Sequence, residues 1–150
     1  MSALPSPEAL AKLLSNVTST MLGISFRPVP SADGFAEVWR TVTLPIPGAR
    51  PLTVGLASDQ PSCGVLSAAM FSCPVEAVDQ SMMSDSLREL TNMTAGLVKS
   101  SLGLDQALGL PKVMAGDHMP ACGPPPTTQS VVLKAEKLGL LLWVSEGVAA

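Results

Sequence analysis

Charge is scarce in this chain. Asp, Glu, Lys and Arg make up 14% of it, with 9 basic residues against 12 acidic ones and a formal net charge of -3. So thin and faintly acidic a charge offers no dense positive field to a phosphate backbone, which argues against nucleic acid as a partner. Cysteine and histidine are also few: Cys63, Cys73 and Cys122 are an odd number without CxxC spacing, and His118 is the one histidine. That set suits neither a disulfide framework nor a zinc site, so the thiols read as small buried hydrophobes or loop residues. Asp117 beside His118 reads as loop surface. No apolar run, Leu138 to Val144 included, approaches the roughly 20 residues that cross a bilayer. Met1 to Pro5 shows neither a basic nor an apolar leader pattern, so a soluble, cytoplasmic protein with no membrane partner is the expectation. The glycine patterns of dinucleotide and P-loop sites are absent too.

Apolar residues, in contrast, are plentiful. They make up 47% of the 150 residues, and the mean hydropathy is +0.38. A chain of this length can bury roughly 70% of the surface it exposes when unfolded, which is enough for a single domain over 1–150 with one core and no covalent staples. Part of its surface should be apolar, and a homodimer would cover some of it.

Ser6-Pro7-Glu8 carries a hydroxyl to cap a helix, a proline where no amide hydrogen is needed, and an acid at the positive end of the dipole. Leu10, Leu13, Leu14, Val17 and Met21 then share one helical face, and Gly23 is placed to end it. Beyond a link broken by Pro28 and Pro30, apolar and polar residues alternate from Ala36 to Leu44, a half-buried strand that Pro45, Pro47 and Gly48 interrupt. Leu52 to Ala57 and Gly64 to Phe71 read as two further strands of an antiparallel meander. A short helix opens at Pro74 and a longer one runs from about Ser84 to Leu102. A strand at Lys112 to Ala115 and a hairpin of Ser130 to Glu136 with Leu140 to Glu146 close the chain, after a stiff loop containing Pro124-Pro125-Pro126. Helix, three strands, helices, three strands looks like one motif used twice, though no residue-level repeat is evident. The predicted class is α+β, a predominantly antiparallel sheet of about six strands with long helices packed on it.

The helix after Ser84 carries the chemistry. Stepping 100° per residue places Asp85, Glu89, Asn92, Gly96 and Lys99 in a stripe roughly 80° wide. Leu87, Leu90, Met93, Leu97 and Val98 fall on the side that should pack on the core. The Glu89 carboxylate and the Asn92 carboxamide, three residues apart, then project together. A competing use of Glu89 exists, because Ser86-Leu87-Arg88-Glu89 matches a capping box in which Glu89 folds back onto the backbone of Ser86. Gly96 costs a helix roughly 1 kcal/mol against alanine, which close approach of another backbone would explain, whether from this chain or from a partner.

Asp85-Ser86-Leu87-Arg88-Glu89-Leu90-Thr91-Asn92 resembles the Asp/Ser-x-x-x-Glu-x-x-Asn signature of the CheX/CheC/FliY phosphatases, and Asn92-Met93-Thr94-Ala95-Gly96 is similar to that family's continuation. Pro111-Lys112-Val113-Met114-Ala115-Gly116 resembles the family's Pro-x-Val-x-x-Gly, and Thr20-Met21-Leu22-Gly23 the end of its first helix. The element order fits over nearly the whole chain. The resemblance implies a CheC-like fold and a phosphatase acting on the phospho-aspartate of a CheY-like response regulator, with Glu89 and Asn92 entering the partner's active site. Asp85, Gly96 and Lys99 would lie at the contact. A single copy of the signature looks more like CheX than CheC, and CheX relatives commonly dimerise through their sheets. No cofactor of the chain's own is implied, since Mg2+ belongs to the partner's acidic pocket. Two other readings stand beside this one: a non-catalytic CheX-like module binding a regulator or flagellar component, and an unrelated α+β domain whose polar helix happens to match.

Overall fold

The computed structural model of the protein describes residues 4–29, 38–116 and 128–147. Helix α1 (Pro7–Leu22) begins as the sequence predicts: the Ser6 side chain accepts a hydrogen bond from the Ala9 N–H at 3.2 Å, with Pro7 in the first turn. It ends where Gly23 takes a left-handed φ of 69° and donates its N–H back to Ser19 O, a conformation open to glycine at no steric cost. Leu10, Leu14 and Val17 are buried, whereas Met21, at the ragged last turn, is 37% exposed.

Strands β1 (Arg27–Val29), β2 (Arg40–Ile46), β3 (Leu52–Ser58), β4 (Lys112–Ala115), β5 (Thr128–Ala135) and β6 (Leu138–Glu146) form one antiparallel sheet in the order β1-β5-β6-β3-β2-β4. Two of these differ from the sequence expectation. The chain through Pro28 is a short strand rather than a link; it pairs only with β5 at the sheet edge, where a residue without an N–H is tolerated. Strand β2 starts at Arg40 and runs through Pro45 to Ile46 instead of stopping at Leu44. Its pairing with β4 covers only Arg40 to Thr43, so by Pro45 the outer side of β2 is no longer in that ladder. Ala36 and Glu37, expected in this strand, lie outside the described residues, as do Asp117, His118, Cys122 and the triple proline.

The segment expected as a third strand, Gly64 to Phe71, is helical and belongs to α2 (Gln60–Phe71). A short, largely apolar run suits a buried strand and a buried helix equally by periodicity, and here the start signals decide. Asp59 caps the helix by accepting from the Ser62 N–H at 2.7 Å, and Pro61 occupies the first turn. The Ser62 hydroxyl in turn accepts from the Gly139 N–H at 2.8 Å, tying α2 to β6. The short helix expected from Pro74 to Met83 shrinks to one 3-10 turn at Val75–Ala77. Helix α3 (Gln80–Ser101) starts four residues before Ser84, because Asp79 takes the capping role and accepts from the Met82 N–H at 2.8 Å.

The helices follow from what the sheet leaves to be covered. One sheet face presents Val42, Leu44, Leu56, Leu133, Leu142 and Val144, which join Leu10, Leu14, Leu87 and Leu90 in a single buried cluster. The strand order is unchanged when β1, β2 and β3 are exchanged for β4, β5 and β6, so the sheet has a topological two-fold between β3 and β6. The helices obey it: α1 packs on β1 and β5, α3 on β4 and β2, and the two helices pack on each other. The repeat suggested by element order is therefore present in topology.

At the centre of this two-fold, Gly55 of β3 sits opposite Trp143 of β6. The indole lies where a Gly55 side chain would stand: an added Cβ would come within 2.0 Å of Trp143 Cε2. Trp143 is 2% exposed and among the largest fully packed side chains. At one end of the sheet the Gln106 carboxamide clamps the β2–β3 turn, donating to Arg50 O at 2.8 Å and accepting from Arg50 N at 2.9 Å. The chain leaving α3 is thereby held to the turn before it enters β4.

Beneath α2, the buried Cys63 thiol donates to Met83 O at 3.4 Å. Burial is the main cause that pushes this thiol from 9.0 up to about 12, with Asp59 adding to the rise and a hydrogen bond from Ser67 and the Arg40 charge opposing it. Because the folded state holds this proton more tightly than the unfolded one, the associated stability is complete below pH 9.0 and drains away as pH rises toward 12. Urea titrations of wild type and Cys63→Ala should therefore differ in slope against pH in that window, wild type falling more steeply; parallel curves would contradict it. Gly55→Ala should lower the thermal midpoint by about 4–12 °C, the effect of roughly 2–3 kcal/mol of overpacking in a domain of this size. An unchanged midpoint would mean the indole is free to move aside.

Candidate functional site

Helix α3 is amphipathic, and its buried side decides how it is turned. Leu87, Leu90, Ala95 and Val98 are 0% exposed and face the sheet and α1. Three hydroxyls share that side: Ser86, Thr91 and Thr94 are buried, and each donates to the carbonyl four residues earlier, Met82, Leu87 and Leu90, at 2.9, 2.6 and 2.7 Å. Buried hydroxyls satisfied within their own helix cost little and leave nothing to be paired from outside. Ser86 is thus inside the helix. The capping box with Glu89 does not form, because the N-terminus lies at Asp79, seven residues upstream.

With that competing role removed, Glu89 and Asn92 stand exposed on the opposite side, together with Asp85. Among the described residues neither the Glu89 carboxylate nor the Asn92 carboxamide has a hydrogen-bond partner in the chain. They sit one turn apart, about 4.5 Å along the axis. Both polar ends are available to a second molecule.

The rest of the stripe is less uniform. Asp85 is exposed and makes an ion pair with Arg88, one turn on. Gly96 is half-buried, yet a Cβ added there would meet nothing within 4 Å. Packing among the described residues therefore does not explain this glycine. Lys99 is half-buried in the last turn, where its charge suits the negative end of the helix dipole. Of the residues assigned to the core side, Leu97 lies on the flank at 37% exposure, whereas Met93 is half-buried and packs against the core. Arg88, which falls just outside the stripe by angle, belongs to the same outward surface, exposed and one turn before Asn92. The signal for it was its spacing of three from Asp85.

The site is anchored to the sheet at its N-terminal end. Arg40 of β2 reaches Gln80 Oε1 at 3.4 Å and stacks on Trp39, with its guanidinium carbon 4.3 Å from the ring centroid. Helix α1 carries no equivalent site: aligned on the left-handed glycines Gly23 and Gly103, its residues Ala9 and Lys12 correspond to Glu89 and Asn92. Among the described residues no group of three or more His, Cys, Asp or Glu is placed to hold a metal ion, and no helix is long and apolar enough to cross a membrane.

Comparison with known proteins gives this geometry a family. The chain matches the family described as Chemotaxis phosphatase CheX over residues 41–134, a span that contains α3 and four of the strands in part or whole. No curated protein matches it in sequence. Among solved structures it is similar to the chemotaxis protein CheX from Vibrio vulnificus, at 17% identity and a TM-score of 0.75, covering 92% of this chain and 96% of that one. A CheX from Desulfovibrio desulfuricans is 18% identical with a TM-score of 0.71, covering 92% and 96%. The CheX-CheY-BeF3-Mg2+ complex from Borrelia burgdorferi is 14% identical with a TM-score of 0.69, covering 97% and 100%. An antiparallel six-stranded sheet carrying helices, with a matching family span over more than half the sequence, places this chain in the CheX family of chemotaxis phosphatases.

Proposed function

We propose that the chain is a phosphatase for the phospho-aspartate of a CheY-like response regulator, with Asn92 positioning the attacking water and Glu89 docking to a lysine of the partner. The observation that carries this reading is the outward exposure of both side chains, free of partners within the chain, on a helix whose opposite side is locked into the core.

An acyl phosphate is already reactive. The enzyme need not provide a covalent nucleophile; it has to hold a water in line with the phosphorus. A carboxamide suits that task, because its oxygen accepts a proton from the water while its NH2 donates, and it brings no negative charge toward the phosphoryl group. Glu89 would repel phosphate if aimed at it, but a carboxylate pairs well with the lysine beside the phosphorylation site of a response regulator. A hundredfold gain over spontaneous hydrolysis requires only about 2.7 kcal/mol, within reach of aligning one water. Mg2+ sits in the partner's acidic pocket, and this chain contributes no cofactor. Asp85, Gly96 and Lys99 frame the contact, the glycine by letting the partner's backbone close on the helix. The unit acting is one cytoplasmic domain over 1–150, able to pair with a second copy through its sheet.

Asn92→Ala should remove the accelerated release of phosphate from a phosphorylated CheY-type regulator while binding persists within about threefold and the thermal midpoint stays put. Release at the wild-type rate would eliminate Asn92 from the chemistry. Glu89→Ala should raise KM and also lower turnover, since it loosens the complex in which the water is aligned. Its folding should be unaffected, as an exposed side chain without partners contributes within about 0.5 kcal/mol. Binding that ignores phosphorylation, with no phosphate release from wild type, would instead support a non-catalytic module.

A further inference from the structure

Arg88 is a strong charge on the outward face of α3 that the proposed chemistry does not use. It lies one turn before Asn92 and next to Glu89, and its side chain is 44% exposed. Among the described residues its single recorded partner is the carboxylate of Asp85, itself 54% exposed, contacted through Nη1 alone. An exposed ion pair three residues apart on a helix contributes little to folding, because water screens it and two long side chains are immobilised to make it. The guanidinium carries five N–H donors in a planar fork, and most of this one remains unspent.

Resting on the phosphatase reading above, we infer that Arg88 is a specificity-determining residue that leaves Asp85 for an anionic group of the partner's phosphorylation pocket, a phosphoryl oxygen or a carboxylate beside it. In the free protein Asp85 holds the fork on the N-terminal side of Arg88 and competes for it. On docking, an anion shielded from water by the interface is a better partner than a carboxylate in solvent, since the same charges attract more strongly once desolvated. Asp85 acts through Arg88: it lowers affinity for every anionic partner, and the loss is overcome where the partner presents the anion in reach of the fork. Glu89 and Arg88, adjacent and opposite in sign, then read one lysine and one anion side by side, a pattern that an unphosphorylated or misaligned surface does not match.

The sign of the Asp85 effect separates this from a simple contact role. Dissociation constants and steady-state kinetics are measured for wild type, Asp85→Asn, Arg88→Gln and the double variant, against a CheY-type regulator with Mg2+, with and without beryllium fluoride as the phosphoryl mimic. Arg88→Gln is expected to weaken binding and raise KM about tenfold with kcat changed less than about twofold, and Asp85→Asn to tighten binding about threefold. In the Arg88→Gln background the Asp85→Asn change should shift binding less than about 1.5-fold, because its target is gone. An Arg88 effect confined to the beryllium fluoride form identifies a phosphoryl oxygen as the anion; equal effects in both forms identify a carboxylate. Unchanged binding by Arg88→Gln, or weaker binding by Asp85→Asn, overturns the inference while the phosphatase reading stands. A wild type that neither binds the regulator nor releases its phosphate overturns both.

Discussion

Burial of Leu87, Leu90, Ala95 and Val98 fixes the rotation of α3 about its own axis, and every side chain at the candidate site inherits its direction from that rotation. Each fully buried leucine or valine contributes on the order of 1.5–3 kcal/mol, so turning the helix by even one residue position would expose several at a cost the domain cannot bear. The buried hydroxyls add to the lock without complicating it, because each is satisfied by a carbonyl of its own helix. What remains outside is a pair of polar side chains with no work inside the chain. That is how a small domain, with few charges to spare, keeps a carboxylate and a carboxamide side by side on its surface.

The sheet supplies the platform. Its two-fold topology places each long helix over strands contributed by both halves, so neither half could bury its apolar face alone. The axis is marked by the contact of Gly55 with Trp143, where the absence of one side chain makes room for the largest. Only one of the two related helices carries the acid and amide. Ala9 and Lys12 stand at the equivalent places in α1, so the two-fold of the fold does not extend to the acid and amide.

Legibility in the sequence varied with the kind of signal. Helix α1 was readable from end to end because Ser6, Pro7 and Gly23 each impose a local backbone requirement. The face of α3 is readable where Leu87, Leu90 and Val98 repeat at helical spacing, although Leu97 falls on the flank. Gly64 to Phe71 suits a strand as well as a helix by pattern, since so short and largely apolar a run has little phase, and the deciding start signals, Asp59 and Pro61, lie before it. The start of α3 was misplaced for a related reason: several residues near it can cap, and only the structure shows that Asp79 does, which moves Ser86 into the interior and releases Glu89. Arg88 is not legible because it sits at the margin of the stripe, where angle alone separates a site residue from a solvated one.

The outward face of α3 as the docking surface is tested most directly by NMR. Titrating the isotope-labelled protein with a CheY-type regulator in its beryllium fluoride form should perturb the backbone signals of Asp85, Glu89, Asn92 and Gly96 and the side-chain amide of Asn92, leaving the outward face of α1 unmoved. Perturbation of α1, or of the sheet edge at β1, with α3 silent would contradict the placement of the site.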